Sequence, residues 1–392
     1  MRSVYILSAV RTPIGKYGGS LREFTAPDLG AMAAEAALKT AGVAPEEVNE
    51  TIFGQARQAG SGPNPARQIA ARAGVPESVP AFTVNKACAS GMKAIILGYQ
   101  EIVLGNADVM LVGGTEAMSR VPFFVEGARW GARLGHQTLV DGMYQDGFNC
   151  PLAKMVMGET AEVLAQQYHI SRDEQDEFAL ASQQRAKAAM EAGRFRDEIT
   201  PVPVKLKKAT IEFSADEHPR FDTSLTSLSK LAPVFSRNGT ITAGNSSGIT
   251  DGAAALVLVS EERARAAKTR PLARIVDYST AGVDPRTMGI GPVPAVEKLL
   301  KKRGLALDDY DAVELNEAFA AQVLACDREL HFDRSRLNVN GGAIALGHPI
   351  GCTGARITVT LVHEMNKRDA ARGLATLCVS GGMGAALELE RA

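Results

Sequence analysis

Apolar and polar positions along this chain follow two periods that alternate from one end to the other. Val4 to Val10 is an apolar run short enough to be a buried strand. Thr25 then stands before Pro27 and Asp28, an N-cap followed by a first turn; the helix it opens is expected to reach about Thr40 and stop near Gly42. Ala81 to Asn85 is a short extended run. Beyond Cys88, the residues Met92, Ile95, Ile96, Tyr99, Ile102 and Val103 fall on one face of a helix that Gly105 ends. Val109 to Val112 is a compact apolar strand expected to stop at Gly113 and Gly114. Strands alternating with helices in this way predict a mostly parallel sheet with helices packed on it.

The pattern changes between residues 119 and 249, where Pro, Gly and Met are frequent and strand-like runs are few. Arg129 to Gly135 reads as a loop with Trp130 at its tip. Ser171 and Glu174 form a capping box before a long helix that ends near Gly193, and Lys205 to Lys208 is locally basic. Ala254 to Val259 returns to buried-strand composition, and Lys268 to Pro271 reads as a linker. The opening order then recurs. Arg274 to Ser279 is strand-like, Val293 to Arg303 helical, and Ala312 to Leu315 a strand. A helix follows with Phe319, Val323, Cys326 and Leu330 on one face, then an extended run from Leu337 to Asn340. A further helix begins within Gly351 to Ala355, and strands cover Leu374 to Val379 and Ala385 to Leu389. The expectation is a duplicated α/β unit with one insertion. Its parts are an N-terminal half over 1–118, an inserted loop domain over 119–249, a last strand and linker over 250–270, and a C-terminal half over 271–392.

A chain of 392 residues with 45% apolar content fits two or three domains with a sizeable core. Lys and Arg number 43 against 44 Asp and Glu, a net charge of -1 that gives no general attraction to nucleic acid or to an anionic membrane. No apolar run approaches the roughly 18 residues of a membrane span, and the first residues are too short and strand-like for a signal peptide. Five cysteines without a C-x-x-C pair argue against a disulfide framework and against a zinc site. The six histidines do not cluster at metal-ligand spacing. Free thiols and a cytoplasmic setting are expected, with no metal.

Four short segments carry the candidate chemistry: Asn85 to Gly91, Asn316 to Phe319, Gly347 to Gly354, and Cys378 to Gly384. Cys88 stands where a strand gives way to a helix, whose N-terminal N–H groups and partial positive charge favour a thiolate. Its small neighbours Ala87, Ala89 and Gly91 leave room for a bulky thioester. Taken alone, Cys88 reads equally as a small buried hydrophobe. His348 is held between Gly347 and Pro349, a tight setting for a base, or for a turn histidine bonded to backbone. Gly351 to Gly354 lacks the Gly-Lys-Ser/Thr ending of a phosphate loop. Cys378 precedes Ser380-Gly-Gly-Met-Gly384, whose backbone N–H groups suit an oxyanion hole; a core cysteine before a turn is the plainer alternative. Asn316 reads as a helix cap or as a group that orients a water, and Glu317 beside it as part of that network or as a solvated side chain.

In this order the four segments resemble the thiolase family, which includes acetyl-CoA acetyltransferases and 3-ketoacyl-CoA thiolases. The likeness extends from Ser3 to the C-terminus through Gly113 to Ser119, Ser171 to Asp176, Thr242 to Gly248 and Met288 to Pro292. It implies the layered αβαβα thiolase fold, a homodimer or homotetramer, and coenzyme A and acyl-CoA as substrates with no permanently bound cofactor. It further implies Cys88 as nucleophile, His348 as its activator and Cys378 as acid/base. By the same resemblance Asn316 holds a water for one oxyanion hole, and the N–H groups of Cys88 and Ser380 form the other. Arg220 and Ser247 correspond to CoA contacts, Phe235 and Phe319 to walls of the pantetheine channel, and Met157 and Met288 to the acyl pocket. Arg129 to Gly135 is a candidate tetramer loop or a plain surface loop. Two positions depart from the pattern: Val156 where short-chain members often carry histidine, and Ser380 where glycine is usual. Competing expectations are a ketosynthase-type condensing enzyme, a non-catalytic acyl-CoA or lipid-binding relative, and a cysteine hydrolase.

Overall fold

The computed structural model of the chain describes residues 2–392. Its main sheet has ten strands. Nine of them are β1 (Val4–Arg11), β2 (Glu50–Gly54), β3 (Ala81–Val84), β4 (Val109–Ala117), β5 (Thr250–Ser260), β6 (Ala273–Gly282), β7 (Ala312–Leu315), β8 (Arg372–Val379) and β9 (Met383–Arg391). The short pair Gly15–Lys16 lies against β5. The spatial order is β7-β8-β9-β6-β1-β5-β4-β2-β3. β6 and β1 are neighbours at the centre, and outward from each the last strand of its half comes next, then the strand before that. The two halves therefore repeat one topology.

The sheet is mixed rather than mostly parallel. Only β7/β8, β2/β4 and β2/β3 pair in parallel. The last strand of each half, β5 or β9, inserts antiparallel between the first strand and its predecessor. Alternation of strand and helix predicts the crossovers but not the direction in which a final strand returns.

Residues of β4 show how the layers form. Met110 and Val112 face one core with Met92, Ile95, Leu256, Ile357 and Leu377. Val109 and Leu111 face another with Leu29, Ala33, Ala34 and Val257. Both faces are apolar because helices cover both. On the outside of the first half lies α1 (Ala26–Ala41), capped by Thr25 and Asp28 and closed by Gly42 at φ 66. Between the two half-sheets lie α2 (Ser90–Leu104) and α3 (Ile350–Arg368). Outside the second half, α4 (Pro292–Arg303) and α5 (Ala320–Leu330) build a third core with Leu315, Leu374 and Ala386. This is the five-layer αβαβα arrangement. Residues 121–249 hold short strands, the helices Met157–Gln167 and Arg172–Glu191, and extended loops. Ser171 and Glu174 form the capping box of the second of these helices.

Two boundaries differ from the sequence expectation. β4 does not stop at Gly113 and Gly114 but continues to Ala117. The glycines mark close approach instead: a Cβ at Gly113 would lie 2.2 Å from the Ala254 carbonyl, and one at Gly114 2.5 Å from the Gly351 carbonyl. The run from Leu337 to Asn340 keeps one bridge, Leu337 to Val313. Asn338 turns there with φ 45, its side chain bonded to both Leu315 N and Leu315 O, which satisfies the edge that a strand would have paired. Among the described residues no helix is long and apolar enough to cross a membrane.

The contacts at Gly114 are backbone atoms that cannot rotate away. Gly114→Ala is expected to destabilise the fold by about 1–3 kcal/mol, the cost of overpacking a tight core. The measurement is the thermal or urea midpoint against the unchanged chain, and an equal midpoint would show that the two half-sheets yield at this crossing.

Candidate active site

Cys88 lies two residues before α2 rather than in its first turn. The turn that carries it is held by several bonds. Ala87 adopts φ 46, a conformation unfavourable for an alanine. Asn85 Oδ1 accepts from Ala87 N at 2.9 Å while its Nδ2 donates to Ala56 O at 3.1 Å. Ser90 Oγ donates to Ala87 O at 2.6 Å and accepts from Lys86 N at 2.9 Å. Surroundings this specific can sustain local strain, and they fix the direction of the Cys88 thiol. Burial pushes that thiol above its usual pKa, while the nearby Ser380 N–H and the Arg57 guanidinium pull it back.

The Ser380 N–H belongs to the turn Ser380–Gly382 that joins β8 to β9, with Gly381 at φ 89 and Gly382 at φ 85. Cys378 stands on β8 before this turn and is fully buried. Its thiol is pushed well above the ordinary value by burial, and next by the neighbouring Cys88. Two cysteines far apart in sequence thus share one cavity of about 380 Å³.

His348 also lines that cavity. Its Nδ1 lies 2.6 Å from Thr353 Oγ1, and Thr353 gives its own proton to Pro349 O at 3.0 Å. The hydroxyl must then accept, so Nδ1 carries the ring proton and Nε2 is the free acceptor. The backbone N–H of His348 donates to Gly248 O at 3.1 Å. Burial, with the charges of Arg356 and Arg57, pushes the imidazole pKa down to about 3, so the ring is neutral near pH 7.

Asn316 does not cap a helix. β7 ends at Leu315, α5 begins at Ala320, and Phe319 takes the cap position. The Asn316 amide is buried and makes no hydrogen bond to another described residue. It is not among the residues that line the cavity. Glu317 beside it is buried rather than solvated, accepting from Ser182 Oγ at 2.7 Å, Asn338 Nδ2 at 2.9 Å and Ile344 N at 3.2 Å. That carboxylate anchors the turn from 316 to 319. The turn is also stitched to residues 245–247, through Ser247 N to Ala318 O at 3.0 Å and Ala320 N to Asn245 O at 2.9 Å.

The remaining predicted residues line the same cavity: Met157, Arg220, Phe235, Ser247, Met288, Phe319 and Ser380. Phe235 and Phe319 meet edge to face at 6.2 Å. Val156 and Met157 open the helix Met157–Gln167, and Met288 sits in the turn Pro285–Ile290. The Arg220 side chain is exposed, and with His218 it also borders a neighbouring groove that holds Ser227 and Leu231; this marks the outer end of the cavity.

Sequence reading missed three residues. Arg57 and His218 line the cavity from loops with no recognisable pattern. Glu116 lies inside a quoted segment, yet nothing in the sequence signals its burial. Its carboxylate accepts from Ala56 N at 3.1 Å, Arg57 N at 3.1 Å and Gly351 N at 2.8 Å. It thereby ties the first turn of α3, just after His348, to the loop beside Cys88.

The sequence matches the thiolase N-terminal domain over residues 4–262 and the thiolase C-terminal domain over residues 269–391. It is 53% identical to an acetyl-CoA acetyltransferase of Pseudomonas aeruginosa, covering 100% of both chains. The structure superposes on the crystal structure of the Bacillus anthracis acetyl-CoA acetyltransferase with a TM-score of 0.98 at 48% identity, over 100% of this chain and 99% of that one. Human mitochondrial 3-ketoacyl-CoA thiolase in complex with CoA gives a TM-score of 0.95 at 46% identity, over 100% of this chain and 98% of that one. With the fold, the shared cavity and these likenesses in agreement, the chain belongs to the thiolase family and is an acyltransferase of that family along its whole length.

Proposed function

We propose that this chain exchanges acyl groups between CoA thioesters through an acyl-Cys88 intermediate, in condensation or in thiolysis. The observation that carries this reading is the meeting of Cys88, Cys378 and a neutral His348 in one cavity. His348 Nε2 takes the Cys88 proton. In condensation the thiolate attacks the thioester carbonyl of an acyl-CoA and the C–S bond to CoA breaks; in thiolysis it attacks the 3-keto carbonyl and the C2–C3 bond breaks. Cys378 gives its proton to the departing group, the CoA thiolate in the first case and the acetyl-CoA carbanion in the second. In the second half-reaction the Cys378 thiolate removes either the α-proton of a second acetyl-CoA or the thiol proton of free CoA. The resulting nucleophile attacks acyl-Cys88 and regenerates the free thiol. A covalent intermediate splits the exchange into two steps and gives ping-pong kinetics.

Each half-reaction passes through an oxyanion, and one well-placed donor is worth about 2.7–4 kcal/mol there. Asn316, whose buried amide lacks a protein partner, suits a bound water that serves the first oxyanion together with His348. The N–H groups of Cys88 and Ser380 serve the second. Arg220 and Ser247 receive CoA, with Phe235 and Phe319 beside the pantetheine arm and Met157 and Met288 around the acyl group. The loop domain over 119–249 supplies most of these contacts, between the halves at 1–118 with 250–270 and at 271–392. A homodimer or homotetramer in the cytoplasm completes the reading. Exposed Trp130 and Leu134 support a subunit contact in the loop from 129 to 135. The free cysteines and the bacterial relatives support the compartment.

Cys88→Ala is expected to abolish both acyl-enzyme formation and turnover, lowering kcat by roughly 10⁴-fold or more. Cys378→Ala should still trap a labelled acyl group from acetyl-CoA yet lose thiolysis of acetoacetyl-CoA by roughly 10²–10⁴-fold. Normal thiolysis in Cys378→Ala would overturn the acid/base assignment. The pH dependence follows from the same groups. His348 stays neutral from roughly pH 5 to 9, and Cys88 titrates above the ordinary thiol range. Iodoacetamide alkylation of Cys88 should therefore rise with pH through about 9 without an inflection near the free-histidine value of about 6.5. An inflection there would mean that His348 titrates in the resting site.

A further inference from the structure

Arg57 is a cationic cavity residue to which the mechanism assigns no substrate contact. It follows β2 in a short loop, is 7% exposed, and lines the cavity that holds Cys88. Its guanidinium donates no hydrogen bond to any described residue, and its Nε is buried without a partner. The Glu116 carboxylate acts on it only through space: its oxygens accept from three backbone N–H groups, and no ion pair or hydrogen bond joins the two side chains. No Asp or Glu lines the cavity. The guanidinium lies against Gly147, where an added Cβ would stand 2.3 Å from Nε, so that loop fixes its position. Its charge acts on both Cys88 and His348, which places it near the reacting groups rather than at the mouth that Arg220 and His218 border. Much of the remaining cavity wall is apolar, including Phe148, Val156, Met157, Met288 and Ile350.

A buried cation without an acceptor is costly, and an arginine fork matches a carboxylate through two parallel hydrogen bonds. We infer that Arg57 is a specificity residue for acyl chains that carry a carboxylate at the end remote from the thioester, so that dicarboxylic 3-ketoacyl-CoA thioesters are preferred over methyl-terminated ones. The inference rests on the acyl-exchange reading and adds the class of acyl group to it. It requires no new chemical step: the distal carboxylate pairs with Arg57 while the thioester carbonyl reaches Cys88.

The experiment measures kcat/KM for CoA-dependent thiolysis of two six-carbon probes, 3-oxohexanedioyl-CoA and 3-oxohexanoyl-CoA, with acetoacetyl-CoA as a third substrate. The unchanged enzyme should favour the carboxylate-terminated probe roughly ten- to a hundredfold, the range expected of a hydrogen-bonded charge pair. Arg57→Leu should bring that ratio to one or below, and Arg57→Lys should keep part of it, because the charge remains without the fork. The ratio compares two substrates on one protein, so a loss of active enzyme does not distort it. A ratio of one or less in the unchanged enzyme, with acetoacetyl-CoA cleaved, overturns this inference and leaves the acyl-exchange reading standing. A preference that persists in Arg57→Leu overturns the assignment to Arg57. Failure to cleave any of the three overturns both.

Discussion

Two helix starts from opposite halves of the chain meet backbone to backbone at the centre of this molecule. An added Cβ at Gly91 would lie 2.8 Å from Ala355 N, and one at Gly354 would lie 2.5 Å from Met92 N. Side chains larger than hydrogen would hold α2 and α3 apart. Closeness here decides everything downstream, because Cys88 lies just before α2 and His348 just before α3. Loosening the crossing would separate the sulfur from the imidazole by a similar distance, and acyl chemistry is sensitive to displacements of about 1 Å.

Around that contact, buried polar groups fix what packing alone would leave free. Glu116 gathers three N–H groups from both sides of the site, and Glu317 holds the turn from 316 to 319 against Ser182, Asn338 and Ile344. Each is buried, so loss of a partner would leave an uncompensated polar group. The same dryness shapes the chemistry. It holds both thiols above their ordinary pKa and His348 far below, so the resting site is a neutral base beside protonated thiols. Nearby N–H groups and cations act where negative charge develops.

Much of the fold was legible in local pattern. The caps of α1, its stop at Gly42 and the capping box at Ser171 lie within a few residues of the groups they satisfy, so sequence order displays them directly. The recurrence of one element order in the two halves was readable for the same reason. What local pattern concealed was pairing direction, the passage of β4 through Gly113 and Gly114, and the collapse of the run at 337 to a single bridge. These depend on which strand arrives beside which, a matter of long-range contact.

For the site, the sequence by itself determined which residue types were available: two cysteines, a histidine set by proline, an asparagine after a strand, and glycines close to the cysteines and the histidine. Those identities are properties of single positions and their immediate neighbours. Only the tertiary structure decided that the cysteines share a cavity, that Thr353 directs the His348 proton, that Asn316 lacks a protein partner, and that Arg57 is a buried cation lining the same cavity. The physical reason is that burial and hydrogen-bond partnership belong to the space between elements. Residues hundreds of positions apart create that space, and no short stretch of chain contains it.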